Sequence, residues 1–338
     1  DADTDVFSPI EASCDWDWGQ DNTVANACAS FIRELPEDWA GGYLHAPGDM
    51  NGDGIDDLVI GAPTNNEVAD ESGKVYFVFG STTGLMLLQS LRDHPAAVGR
   101  EAGDQLSSAE PLGDVNGDGL ADVALNFGYS NSGPPGDNYV VLGKTSGWRL
   151  SMPIDDAEGH VVNDVTPDSS DYTSRVQLGD VDGDGFDDWL LYGQVHNNGE
   201  AHVISGKTIG PDMITPADST LWIYGGDEAI TLGNAGDHNG DGLADLMVRD
   251  HDDDAHYLVF GASSGLPWDE RAAEAADVTF RRSASDRTLS VGDVGDVNGD
   301  GASELALLVE GELVVTVGGQ EVGRLRPGDL VGETTVLC

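Results

Sequence analysis

The chain has 338 residues, 39% of them hydrophobic, and carries 62 acidic against 15 basic side chains, a formal charge of −47. Nothing in it neutralises a phosphate backbone, so a nucleic-acid partner is excluded, and an anionic membrane surface repels it. No run of about 18 apolar residues exists to span a bilayer, and 46 regularly spaced glycines with seven tryptophans argue against the disorder that such acidity otherwise brings.

Residues 1–29 read as a tether and cysteine-containing cap, followed by one domain over residues 30–338. The opening Asp-Ala-Asp-Thr-Asp reads as a solvated stalk, similar to the segment that follows a lipidated cysteine in some bacterial surface lipoproteins. A start at Asp1 rather than Met suggests a mature or trimmed form. Cys14, Cys28 and Cys338 allow one disulfide, either within the N-terminal segment or from it to the C-terminus, and the sequence does not choose. No His or Cys cluster has zinc spacing, so an oxidising location, secreted or at the cell surface, is expected.

From residue 48 the chain repeats itself. GDMNGDGIDDLVIGA at 48–62 is followed by GDVNGDGLADVAL at 113–125, GDVDGDGFDDWLL at 179–191, GDHNGDGLADLMV at 236–248 and GDVNGDGASELAL at 295–307. The first aspartates, Asp49, Asp114, Asp180, Asp237 and Asp296, are 65, 66, 57 and 59 residues apart. A step of about 60 residues holds four short strands and their turns, the size of one propeller blade. In each unit a short strand leads into the Asp-rich loop and a second strand, such as Leu58-Val59-Ile60, leaves it. The third strands (75–79, 139–142, 201–204, 256–260 and 313–317) are near-continuous apolar runs, as expected of strands buried on both faces. No segment has a sustained helical period. The expected fold is all-β: a propeller of five four-stranded blades, with six or seven as the alternative. Residues 30–35 stand at the spacing of a fourth strand before a first, so they are expected to close the last blade as its outer strand, the alternative being that residues 1–39 form a separate cap.

The loop has oxygen-bearing side chains at positions 1, 3, 5 and 9, a backbone carbonyl available at 7 and glycine at 6 for the sharp turn. This is the ligand logic of a calcium loop, without the flanking helices and the acidic twelfth residue of the helical version. The candidate ligands are Asp49, Asn51, Asp53, Ile55 (carbonyl) and Asp57 in the first loop, then Asp114, Asn116, Asp118, Leu120 (carbonyl) and Asp122 in the second. The third offers Asp180, Asp182, Asp184, Phe186 (carbonyl) and Asp188; the fourth Asp237, Asn239, Asp241, Leu243 (carbonyl) and Asp245; the fifth Asp296, Asn298, Asp300, Ala302 (carbonyl) and Glu304. Hard oxygen donors in a flexible loop favour Ca²⁺, about five ions in all, over zinc or copper. The third loop, with four carboxylates, is expected to bind tightest; the fifth ends in a longer side chain, which alters its geometry. Three or four like charges per loop loosen the fold unless a cation is present, so the ions are expected to be structural.

These residues resemble the FG-GAP repeat of the integrin α-subunit propeller. Unit one carries the pattern best, in Asp57-Leu58-Val59-Ile60-Gly61-Ala62-Pro63 and Gly73-Lys74-Val75-Tyr76-Phe77-Val78-Phe79-Gly80. The resemblance runs over residues 30–320 or so, but the Gly-Ala-Pro element survives once, the leading Phe-Gly is largely lost, and integrin propellers have seven blades. It points to a prokaryotic relative. It implies cation loops on one face and ligand binding on the other, through loops near 64–73, 128–138, 164–173, 193–199, 224–228 and 250–254, with Tyr129, Trp189, Tyr192, Trp222 and Tyr224 as aromatics to examine and core packing as their ordinary role. The implied function is adhesion to, or binding of, a protein or glycan at the cell surface, without catalysis. Some polysaccharide lyases and phospholipases carry similar propellers, so an enzyme domain is the alternative, as is a structural domain of a surface assembly. His251 and His256 flank Asp252-Asp253-Asp254, but this reads more readily as a solvated hairpin than as a catalytic site, and neither Gly-x-Ser-x-Gly nor His-Glu-x-x-His occurs. The ligand and the oligomeric state are left open by the sequence.

Overall fold

The computed structural model describes residues 29–83, 85, 89–127, 138–161, 175–195, 198–208, 213–214, 221–224, 230–250, 255–264, 270–282, 289–293, 303, 305–309, 313–317 and 320–325. The cysteines, the ligands expected in the fifth loop, Tyr129 and the 251–254 segment lie outside these residues. The described chain is all-β apart from a four-residue helix, α1 (Ala272–Ala275), and short 3₁₀ turns.

Strand β1 (Phe31–Ile32) stands first. Unit one supplies β2 (Tyr43–Gly48), β3 (Asp57–Ala62), β4 (Lys74–Val78), the two-residue β5 (Gln89–Ser90) and β6 (Ala96–Val98). Unit two repeats the order with β7 (Leu106–Gly113), β8 (Asp122–Phe127), β9 (Asn138–Val141), β10 (Met152–Pro153) and β11 (Gly159–Val161). Unit three has β12 (Arg175–Gly179), β13 (Asp188–Val195), β14 (Asn198–Ile204), β15 (Met213–Ile214) and β16 (Leu221–Tyr224). Unit four has β17 (Ile230–Gly236), β18 (Asp245–Asp250), β19 (Ala255–Val259), β20 (Glu270–Arg271) and β21 (Val278–Arg282). The last strands are β22 (Leu289–Asp293), β23 (Leu305–Val309), β24 (Leu313–Val317) and β25 (Gln320–Leu325).

The first three units form sheets of five strands rather than the four expected. Four antiparallel strands come from the unit itself, and the fifth is the short strand of the next unit, paired parallel to the outer edge: β10 on β6, β15 on β11 and β20 on β16. Each outer edge is thereby covered by the following unit, which removes part of an open ladder. Strand β1 stands in the same relation to β5, so residues 31–32 occupy the place of an outer strand preceding unit one. The turn from β1 into β2 also repeats the turn from β6 into β7. Buried Asp38 and Asp104 accept backbone N–H groups of Leu35 and Ala40, and of Arg100 and Glu101, and each is followed by a residue at positive φ, Trp39 at 53° and Gln105 at 50°.

Unit five departs from the repeat. Strand β24 pairs over five residues with β21 of unit four and on its other side with β25, while β22 and β23 form a two-stranded sheet of their own. The expected closure, with residues 30–35 beside the third strand of unit five, is therefore not among the pairings: both edges of β24 are taken. An apolar strand such as Leu-Val-Val-Thr-Val satisfies more backbone groups in a five-residue antiparallel ladder than the two-residue parallel strand that covers the other units' edges.

The core lies between sheets. Successive residues of a strand face opposite sides, so Val59 and Phe77 of unit one pack with Val123, Leu125 and Val141 of unit two, while Ile60 and Tyr76 face the other way. Ala124 and Val140 of unit two meet Trp189 and Ile204 of unit three, and Val203 and Ile223 of unit three meet Leu246 and Val259 of unit four. The third strands β4 and β19 are buried at every residue, as their apolar runs predict. On the far face of unit one an apolar groove of about 510 Å³, lined by Phe31, Ile32, Leu44, Ile60 and Leu91 among others, is open to solvent.

Candidate metal centre

Each Asp-rich loop joins the first strand of a unit to its second, so the loops share one end of the stacked sheets. The 64–73 loop, between β3 and β4, is at the opposite end. Within the four described loops the backbone follows the side chains closely. The carboxylate at position 1 accepts the N–H of the glycine at position 6 in all four: Gly54 to Asp49 at 2.6 Å, Gly119 to Asp114 at 2.7 Å, Gly185 to Asp180 at 3.0 Å and Gly242 to Asp237 at 2.8 Å. The carboxylate at position 5 accepts the N–H of position 7: Ile55 to Asp53, Leu120 to Asp118, Phe186 to Asp184 and Leu243 to Asp241. This curls the chain around one centre. Glycines at positions 4 and 6 both take positive φ, 71–81° at position 4 and 83–88° at position 6, a region that side chains strain to enter. In the first three loops they differ in surroundings: nothing lies within 4 Å of a Cβ placed on Gly54, Gly119 or Gly185, whereas one on Gly117 meets the Phe186 ring at 2.9 Å.

The aspartate at position 9 is the buried member. Asp57, Asp122, Asp188 and Asp245 each accept the N–H of position 2 on one oxygen and that of the glycine ending the third-strand segment on the other. For Asp122 these are Val115 at 3.0 Å and Gly143 at 2.6 Å. Burial pushes the Asp122 and Asp188 carboxyls up to about 7 and that of Asp245 to about 6; nearby aspartates of the same loop add to the rise, and the backbone donors oppose it. Asp57 is raised for the same reason. At Asp49, burial acts upward too, but donors from Gly54, Gly52, Asn51 and Asp53 outweigh it and hold the carboxyl below the ordinary range.

Position 3 separates the third loop from the others. Asn51, Asn116 and Asn239 donate an amide hydrogen to the position 5 carboxylate at 3.2, 3.1 and 2.9 Å. Asp182 has no such hydrogen, and burial together with Asp184 beside it raises its carboxyl. Among the described residues, Asp180, Asp182 and Asp188 form the one group of three acidic side chains with ligand atoms all within 4.8 Å of one another. A set of oxygen donors alone, crowded and partly withdrawn from water, suits a hard cation such as Ca²⁺. Among the described loops, the one expected to bind tightest is the one in which three carboxylates converge within this distance.

The structure also places residues that the spacing did not single out. The carbonyl of position 1 accepts the N–H of position 8 in the following loop: Ala121 to Asp49 at 2.8 Å, Asp187 to Asp114 at 2.9 Å, Ala244 to Asp180 at 2.9 Å and Ser303 to Asp237 at 2.7 Å. Position 8 varies among Asp, Ala and Ser, so no side-chain pattern marks a bond made by the backbone. At the opposite end, Lys74 is buried and paired with Glu34 at 2.8 Å and with Glu67; Glu34 also accepts the Tyr76 hydroxyl at 2.9 Å and pairs with Arg92 at 3.3 Å. Trp189, a candidate ligand-face aromatic, is fully buried between units two and three. It directly follows Asp188 at the cation-loop end, where the strand leaving the loop turns it into the core. Of Tyr192, Trp222 and Tyr224 the strands are described, and His256 is buried on β19.

No helix among the described residues is long and apolar enough to cross a membrane. Residues 42–78, containing the first loop and the two strands after it, match the model of the FG-GAP repeat. Integrin alpha-5 of Xenopus laevis is 27% identical over 57% of this chain and 19% of its own length. Integrin alpha-PS2 of Drosophila melanogaster is 38% identical over 30% of this chain and 7% of its own, and phosphatidylinositol-glycan-specific phospholipase D of Rattus norvegicus 31% identical over 38% and 16%. The chain thus spans less than a fifth of the length of these relatives. Its first unit is an FG-GAP repeat, and the chain is integrin α-like in sequence.

Proposed function

We propose that this chain is a calcium-loaded β-propeller region that acts outside the cell as a ligand-binding or adhesion module for a protein or glycan. The observation that carries the reading is the same oxygen-lined loop geometry in four successive units of face-to-face sheets, in a chain whose first unit is an FG-GAP repeat. On this reading each unit serves as a blade, with five in all, and the open apolar groove of unit one is the face a closing blade would cover. The ligands are the side chains at positions 1, 3, 5 and 9 and the carbonyl at 7. They are Asp49, Asn51, Asp53, Ile55 and Asp57 in loop one, with their counterparts through Asp245 in loop four and Asp296, Asn298, Asp300, Ala302 and Glu304 in loop five. Bound calcium would supply the positive charge that lets these carboxylates share one loop. Asp1 to residue 29 is read as a tether, with the chain held at or released from a cell surface.

The cation-loop end is repetitive and stiff, which leaves the opposite end, with its unequal loops such as 64–73, to meet a ligand. The integrin α relatives favour adhesion. The phospholipase D relatives favour a second reading, a calcium propeller that accompanies a lipid- or glycan-active enzyme. The test is a binding screen of the purified chain against glycan arrays, matrix proteins and intact cells, in calcium and in chelator, alongside thermal melts in both. Calcium-dependent capture of one ligand class and a chelator-sensitive melt support the module. A melt unchanged by chelator overturns the structural role of calcium, and a folded protein that binds nothing overturns the adhesive role.

A further inference from the structure

We propose that neighbouring cation loops are energetically coupled through the backbone bond from position 8 of one loop to position 1 of the loop before it, and that Asp187 strengthens this coupling between loops two and three. The inference rests on the calcium reading and concerns how its sites fill.

The bond has an unusual placement. Its acceptor is the carbonyl of the residue whose carboxylate is the first candidate ligand of one loop. Its donor is the N–H of the residue just before the buried position 9 carboxylate of the next. The following residue, at position 2, is clamped from both sides as well. Its N–H goes to its own loop's position 9 carboxylate, Met50 to Asp57 at 2.8 Å and Val181 to Asp188 at 2.9 Å. Its carbonyl accepts from the next unit, from Lys144 to Met50 at 2.9 Å and from Ala262 to Val181 at 2.9 Å. The side chains of Met50, Val115 and Val181 are buried in the core shared with that next unit. A third contact sets the position 7 side chain of the later loop on the position 4 glycine of the earlier one, Leu120 on Gly52, Phe186 on Gly117 and Leu243 on Gly183. A cation that orders one loop therefore fixes peptides on both sides of the bond. The next cation then has fewer conformations to remove, which makes filling positively cooperative without any change of fold.

Between loops two and three the link is double. Asp187 donates its N–H to the Asp114 carbonyl and, through its carboxylate, accepts the Asp114 N–H at 2.9 Å; Gln177 donates to the same oxygen at 3.3 Å. Gly113 leaves room for this carboxylate, since a Cβ there would lie 2.0 Å from it. Position 8 is Ala in loops two and four, as Ala121 and Ala244, so the carboxylate is an addition to a contact that forms without it.

The test is a calcium titration followed by hydrogen exchange, resolving segment 180–188 from the other loops. Asp118→Asn weakens loop two alone. In the wild-type background it is expected to move the calcium midpoint of segment 180–188 to about five-fold higher concentration or more, the low end of ordinary coupling. In an Asp187→Ala background, which places a residue native to this position in other loops and keeps the backbone bond, the shift should shrink to about half or less without vanishing. Asp187→Asn, whose amide oxygen still accepts the Asp114 N–H, should retain it. A midpoint that Asp118→Asn leaves in place overturns the coupling. An equal shift with and without the Asp187 carboxylate, or its loss in Asp187→Asn, overturns the role of that residue. Absence of calcium protection in every loop of the wild-type chain overturns the calcium reading instead, so the two failures are distinct.

Discussion

The two ends of the sheets are built by opposite means. At the cation-loop end, four loops place the same hydrogen bonds at the same positions, and each is bonded to the next. At the other end, the loop after β3 is held by a local cluster, buried Lys74 between Glu34 and Glu67, that the other described units do not repeat. Repetition at one end supplies a frame in which each loop is hydrogen-bonded to its neighbour. The other end is fixed in unit one by contacts particular to that unit, so it is not bound to one pattern; on the proposed function it is the end that meets a ligand.

Four experiments test this contrast. The largest effect should come from removing calcium. If each described loop is held at 100 times its Kd, each ion contributes about 2.7 kcal/mol, so chelation should cost about 10 kcal/mol and lower Tm by on the order of 20 °C, read by calorimetry. Next comes pH in the calcium-free chain. The carboxyls of Asp122 and Asp188 are pushed up to about 7 and that of Asp245 to about 6, above the ordinary carboxylate range. The folded chain therefore binds more protons than the unfolded chain between about pH 4 and 7, and its stability falls as pH rises through that window. Melts of the calcium-free protein should show a higher Tm at pH 5 than at pH 8, and saturating calcium should abolish that difference. A calcium-free Tm that rises with pH would remove the burial argument for these aspartates.

At the opposite end, Lys74→Met leaves Glu34 and Glu67 without their buried cation and should cost about 3 kcal/mol in urea denaturation. The loss should be similar in calcium and in chelator, because the cluster touches no cation loop; a loss confined to one condition would mean that the two ends are not independent. The smallest effect separates two glycines of one loop. Gly119→Ala meets only backbone strain, about 1 kcal/mol, whereas Gly117→Ala also meets the Phe186 ring of the next loop. A further 1 kcal/mol or so is expected at Gly117, and equal costs at the two positions would remove that inter-loop contact from the account.

Much of this organisation could be read directly from the residues. The four described Asp loops, the strands that leave them and the buried third strands β4 and β19 follow from short-range chemistry: glycine where φ is positive, oxygen side chains at alternate positions, and apolar runs where both faces of a strand are covered. The spacing placed a strand at Phe31–Ile32, and the structure pairs it with β5 rather than with unit five. Other features had no local signal. The position 8 bond is made by the backbone, so Asp, Ala and Ser serve equally and the sequence is silent. Trp189 packs in the core, the ordinary role expected for it, and the turn that ends the loop sets its direction. The pairing of β24 with β21 depended on which apolar edge was free. Glu34 and Lys74 are 40 residues apart, and nothing in either neighbourhood announces the other. The repeat, its strands and the oxygen-rich character of its loops are written in the residues themselves, because each depends on residues within a few positions of one another. Which edges pair, which end carries the ion-pair cluster and how one loop is bonded to the next emerge on folding, because these depend on where distant backbones come to lie.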